Sequence, residues 1–128
     1  MNGSFSLPLT DLSVEVGRIT ASARIESGSQ WYEGHFPGQP ILPGMAIVAL
    51  VAEALVAAER RVGNQVTITG LARVRFRLPV RPGETIQIQV ARPGDGGGRY
   101  AFSVFLAGEA LCSGILEAER KAAPEQIA

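Results

Sequence analysis

The chain has 128 residues, 46% of them hydrophobic, which suits a single domain able to bury a core without disulfides or a structural metal. Twelve basic and twelve acidic residues cancel, which excludes the broad electrostatic footprint of a dedicated nucleic-acid or membrane-surface binder. A single cysteine, Cys112, cannot form an internal disulfide, and the opening Met1-Asn2-Gly3-Ser4-Phe5 has neither a basic region nor a signal-peptide-length apolar run; a reducing, cytoplasmic setting is expected.

In chain order, Leu12 to Ile25 comes first, with Val14, Val16, Ile19, Ala21, Ala23 and Ile25 at a spacing of two that skips once near Gly17, as at a bulge. A loop follows, and then Met45 to Ala58, where Glu53 is the only residue that is not apolar and alanine and leucine favour a helix. Pro43 suits the first turn and Gly63-Asn64 the stop. The segment is shorter than the roughly 20 residues of a bilayer span, so the spacing predicts a helix buried in protein. Val66 to Leu78 then sets Val66, Ile68, Ala72, Val74, Phe76 and Leu78 against Thr67, Thr69, Arg73, Arg75 and Arg77. Turns at Arg81-Pro82-Gly83-Glu84 and 94–98 bound the strands Thr85 to Val90 and Tyr100 to Leu106. Gly108-Glu109 leads into Ala110 to Ala118, with a core of about 10–119 and a tail at 120–128. Cys112, in an apolar run, reads as a small core residue.

This order gives an α+β domain: strands joined by tight turns pair antiparallel, and one apolar helix covers the sheet. A helix apolar on all sides is not satisfied by one sheet face, so its far side meets either a second subunit or a strongly curved sheet, and at least a homodimer is expected.

The chemistry falls to the loop Gly34-His35-Phe36-Pro37-Gly38-Gln39-Pro40-Ile41-Leu42-Pro43-Gly44, which holds three prolines, three glycines and the chain's one histidine. Such a composition fixes an irregular backbone. Unpaired N–H groups and the positive end of the helix dipole at Gly44 suit a carbonyl oxygen gaining negative charge, and His35 beside it suits proton transfer near neutral pH. His35 either does this or ties the loop together by hydrogen bonds. One histidine without a cysteine cluster does not supply the ligands of a zinc site.

The run GHFPGQPILPG before an apolar helix resembles the signature of the bacterial 3-hydroxyacyl-[acyl-carrier-protein] dehydratases (FabZ/FabA-like), and Ala72-Arg73-Val74-Arg75-Phe76-Arg77-Leu78-Pro79-Val80-Arg81-Pro82-Gly83-Glu84 is similar to their following strand and turn. The likeness covers roughly residues 10 to 119. It implies a hot-dog fold, a curved antiparallel sheet of about five strands wrapped around one long central helix. It also implies reversible dehydration of 3-hydroxyacyl thioesters in fatty-acid or related acyl-chain biosynthesis, the acyl group being carried on the phosphopantetheine of acyl carrier protein or on coenzyme A. No other cofactor and no metal is implied, and the assembly would be a homodimer or a hexamer. By the resemblance His35 is the catalytic histidine and the Gly44 N–H polarises the thioester carbonyl. Pro37, Gly38, Ile41, Leu42 and Pro43 line the substrate site, and Phe36 is either a wall of its tunnel or part of the core. Trp31 and Tyr32 either wall the acyl channel or pack against the helix end.

The family's acid stands fourteen residues after its histidine, on the partner subunit's helix; here that position is Ala49. Glu53, one turn further along the same helix face and displaced by about 6 Å, is the candidate for a relocated acid, since an unpaired carboxylate buried there would favour its neutral form. The alternative is a structural carboxylate. Arg73, Arg75 and Arg77 form a stripe that is either simply solvated or meets the carrier protein or its phosphate. Two further readings follow from Ala49 and Glu53: a non-catalytic acyl-thioester-binding or partner subunit, and a thioesterase of the same fold.

Overall fold

The computed structural model describes residues 9–24, 44–81, 83–94 and 97–122. The elements run β1 (Leu9–Glu15), β2 (Arg18–Arg24), α1 (Gly44–Arg61), β3 (Asn64–Phe76), β4 (Thr85–Ala91), β5 (Arg99–Leu106) and β6 (Glu109–Ala122). The strands form one antiparallel sheet in the order β1-β2-β4-β5-β6-β3, against which α1 packs. This is the architecture implied by the resemblance, a helix held by an antiparallel sheet.

A sixth strand arises because Gly17 makes a hairpin and not a bulge. With φ of 85° it takes the left-handed turn conformation that glycine adopts without strain, and Glu15 pairs with Arg18 directly across it. Val16, expected on the inward face, is fully exposed at the tip. The bulge in this region lies in β1 instead, between Thr10 and Ser13, where Asp11 has φ of 53°.

Strict alternation in the central strands builds the core. Ile19, Ala21 and Ala23 of β2 lie opposite Val90, Ile88 and Ile86 of β4, and Ile88 and Val90 lie opposite Val104 and Phe102 of β5. All of these are buried, and the helix residues Ile47, Leu50, Val51, Ala54, Leu55 and Ala58 cover them. Each Leu, Ile or Phe so removed from water contributes about 1.5–3 kcal/mol. Cys112 belongs to this core at 1% exposure, and burial pushes its thiol up to about 11. Helix α1 ends as read, with the Gly63 N–H donating to the Arg60 carbonyl (3.1 Å) and Gly63 at φ 88°. Among the described residues no helix is long and apolar enough to cross a membrane.

Two regions depart from the sequence expectation. In β3, bulges after Ile68 and after Ala72 shift the alternation twice: Leu71 pairs with buried Leu116, Ala72 with Ile115, and Phe76 with buried Cys112. Ala72 therefore lies on the opposite face from Ile68 and Phe76, and Arg73 sits in the second bulge with φ of 56°. At the C-terminus β6 continues to Ala122, so Arg120, Lys121 and Ala122, read as the start of a tail, pair with Val66, Gln65 and Asn64.

Candidate functional site

Trp31, Tyr32, His35, Phe36, Pro37, Gly38, Ile41, Leu42 and Pro43 lie outside the described residues. The site is therefore built from the end of α1 that their loop leads into. Gly44 is the first helical residue and is half-buried. The first turn carries no acidic side chain, so none of its own residues offsets the positive end of the dipole.

Phe76, the last residue of β3, reaches this end. A Cβ added at Gly44 would stand 2.8 Å from Phe76 Cζ and 2.9 Å from Cε1, so the tip of the ring fills the space of a side chain at 44. Phe76 is 48% exposed in the protomer. This neighbour was not legible beforehand: Phe76 read as one of six apolar residues on a strand face, and nothing in its spacing points to the helix.

The helix positions proposed for the acid do not match their expected surroundings. Ala49 is half-buried, and Glu53 is exposed in the protomer and not enclosed among apolar residues. The reason is geometric. Met45, Ala49 and Glu53 recur at four-residue spacing along one stripe of α1 that the sheet does not cover, and Met45 is 62% exposed. Apolar sequence neighbours of Glu53 lie on the other side of the helix. Arg73, Arg75 and Arg77 are all exposed, but the bulge at Arg73 and the end of the strand at Phe76 break the single row expected of them.

Among the described residues the buried carboxylate is Glu59, at 0% exposure, and it was missed. Arg92 donates to it through Nε (2.9 Å) and Nη2 (3.0 Å), Arg120 through Nη1 (3.1 Å), Asn64 through Nδ2 (2.8 Å) and Tyr100 through its hydroxyl (2.9 Å). Burial alone pushes the Glu59 carboxyl up; the donors, Arg92 foremost, outweigh it and hold the group down at about 2. Burial and the adjacent carboxylate push the Tyr100 hydroxyl up to about 12, and the Glu59 carboxylate raises Arg92. At 1.5 Å per residue along α1, Glu59 lies about 22 Å from Gly44, so this cluster is not part of the site. Only Asn64 is near Glu59 in sequence; Arg92, Tyr100 and Arg120 come from beyond β4, from β5 and from β6, a convergence that no local pattern announces.

The chain is similar to several known proteins. The family model for ApeI-like proteins, described as ApeI dehydratase, matches residues 12–115. A 3-hydroxyacyl-[acyl-carrier-protein] dehydratase FabZ of Moorella thermoacetica is 37% identical over 109 residues, covering 77% of this chain and 76% of that protein. One from Roseiflexus sp. is 36% identical over 115 residues, covering 82% and 78%. Among solved structures, the dehydratase heterocomplex ApeI:P from Xenorhabdus doucetiae matches with a TM-score of 0.73 at 18% identity, covering 88% of this chain and 96% of that one. The fluoroacetyl-CoA thioesterase FlK matches with a TM-score of 0.68 at 18% identity, over 86% and 90%. At such identities the solved structures speak for the hot-dog fold alone.

Proposed function

Because the chain belongs to the ApeI-like dehydratase family, we propose that it reversibly removes water from 3-hydroxyacyl thioesters in fatty-acid or related acyl-chain biosynthesis. The observation that carries this reading is the run GHFPGQPILPG delivering Gly44 to the start of α1, where unpaired N–H groups and the helix dipole suit a developing oxyanion. In this reading His35 takes the C2 proton, and the electron pair left behind is spread onto the thioester oxygen held by the Gly44 N–H. The C3–O bond then breaks, and the hydroxyl leaves as water after receiving a proton. Phe36, Pro37, Gly38, Ile41, Leu42 and Pro43 line the site, with Trp31 and Tyr32 at the acyl channel.

Glu53 is the candidate donor of the second proton, from a partner protomer. A second copy suits two features of the chain. The stripe of Met45, Ala49, Ala52 and Val56 on α1 is incompletely covered, and β3 stands at the end of the sheet order with a long edge that invites pairing. Burial against a partner would supply the apolar surroundings that Glu53 lacks in the protomer. The acyl carrier is acyl carrier protein or coenzyme A, with exposed Arg73, Arg75 and Arg77 as candidate contacts for its acidic or phosphate groups. The steps are proton transfers and call for no metal or further cofactor. We take the compartment to be the cytoplasm, where Cys112 stays a thiol.

A second reading, a binding or partner subunit, is favoured by Ala49, which has no proton to give where the family's acid is expected. The deciding experiment is an assay of water addition to short and long enoyl thioesters, with free thiol recorded in parallel, on wild type, His35→Ala and Glu53→Gln. We expect wild type to interconvert enoyl and 3-hydroxyacyl thioesters and each variant to lose about 10²–10⁴-fold. A wild type that binds acyl thioester and converts nothing would establish the partner subunit. Thiol release abolished by Glu53→Gln would make it a thioesterase.

A further inference from the structure

Resting on the reading of Gly44 as the amide that holds the thioester oxygen, we infer that Phe76 is a positioning residue for that amide. Three observations carry the inference. The tip of the Phe76 ring occupies the space of a side chain at Gly44, with Cζ, Cε1 and Cε2 all within 3.0 Å of where a Cβ would stand. Phe76 is itself held: it pairs with buried Cys112 of β6, and the next residue, Arg77, donates its N–H to the Leu111 carbonyl at 2.8 Å. The bulge at Arg73 returns Phe76 to the face that carries Ile68 and Leu71, directing the ring toward α1 and away from the outer face of Arg75.

The consequence is specific. A glycine at 44 leaves room for a carbonyl to approach the backbone; the structure fills that room from one side with an aromatic ring. The ring limits where the first turn of α1 can sit, and it removes water from one flank of its unpaired N–H groups, which strengthens any hydrogen bond they make to substrate. Strand β3 thereby sets the position of a group on the helix, with no part of Phe76 entering the reaction.

The test uses the full chain as wild type, Gly44→Ala, Phe76→Ala, Phe76→Leu and Gly44→Ala with Phe76→Ala. Gly44→Ala should lower the thermal midpoint by about 5–10 °C, as overpacking does, and Phe76→Ala in the same chain should recover most of that loss. Additive losses would overturn the inference. The second readout is titration of protein isotope-labelled at glycine with butyryl-pantetheine, a saturated thioester that cannot add water, followed at the Gly44 amide. We expect binding about tenfold weaker in Phe76→Ala, with partial recovery in Phe76→Leu. Unchanged affinity and an unchanged Gly44 signal in Phe76→Ala would overturn the positioning role. A thioester that binds wild type without moving the Gly44 signal would overturn that role together with the oxyanion reading. A responsive Gly44 in a wild type that hydrates no enoyl thioester would strike only the proposed reaction and would leave the positioning role supported.

Discussion

The two ends of α1 are held in opposite ways. At the C-terminal end Glu59 is fully buried and takes hydrogen bonds from two arginines, an amide and a phenol, tying the helix to β3, β5, β6 and the segment after β4. At the N-terminal end the contacts among the described residues are apolar: Ala46, Ile47 and Val48 enter the core, and the half-exposed Phe76 sets its ring against Gly44. Charged, directional contacts in a dry setting hold geometry tightly but leave no donor or acceptor to spare. An apolar contact fixes position while leaving the N–H groups of the first turn available. One end of the helix is therefore built to be anchored and the other to be used.

The largest expected effect breaks the anchored end. Glu59→Ala strands Arg92 and Arg120, 21% and 11% exposed at the side chain, facing each other without a counter-charge. We expect a loss of about 3–5 kcal/mol, measured as the shift of the denaturant midpoint. A loss under about 1 kcal/mol would mean the cluster is loosely held and the contrast between the ends is false.

Acid should do the same more gradually. Glu59 titrates at about 2 in the folded chain against 4.5 ordinarily, so the unfolded chain binds its proton first as pH falls. The stabilisation is complete above the unfolded value and is lost as pH drops from about 4.5 to about 2. A shift of this size corresponds to about 3 kcal/mol at neutral pH. Comparing acid unfolding of wild type with Glu59→Gln isolates it: the variant's stability should fall less steeply across that window, and equal slopes would count against the assignment.

The smallest effect lies in neither contact and serves as their control. Ala107 and Gly108 link β5 to β6 with φ of 51° and 85°, the two positive angles of a tight hairpin turn. Alanine is strained there, and Ala107→Asn should stabilise by about 1 kcal/mol without altering ligand binding. Unfolding midpoints and a thioester titration check both halves of that statement.

How much of this was legible beforehand follows from the range of each interaction. The boundaries of α1, β4 and β5 are written in runs of adjacent residues, and a reading by period and turn residues finds them to within a few positions. The loop of His35 stands out by composition and by resemblance and lies outside the described residues. In β3 the same method misleads: the even-numbered apolar residues from Val66 to Phe76 suggest one unbroken face, yet two bulges shift the phase and return it. A bulge is settled by the partner strand, here β6, and leaves little mark on its own sequence. Glu53 looked buried because its sequence neighbours are apolar, whereas burial on a helix is decided by azimuth. Glu59 drew no reading at all, because four separate segments had to converge before its role existed.

The single thiol offers one more use of the core. Cys112 is enclosed between strands and held neutral at ordinary pH, so a thiol reagent in solution meets almost no reactive sulfur while the sheet stays closed. Slow modification of the native chain would then clock transient separation of β3, β5 and β6. The protein carries its own reporter of how often the strand that bears Phe76 comes loose.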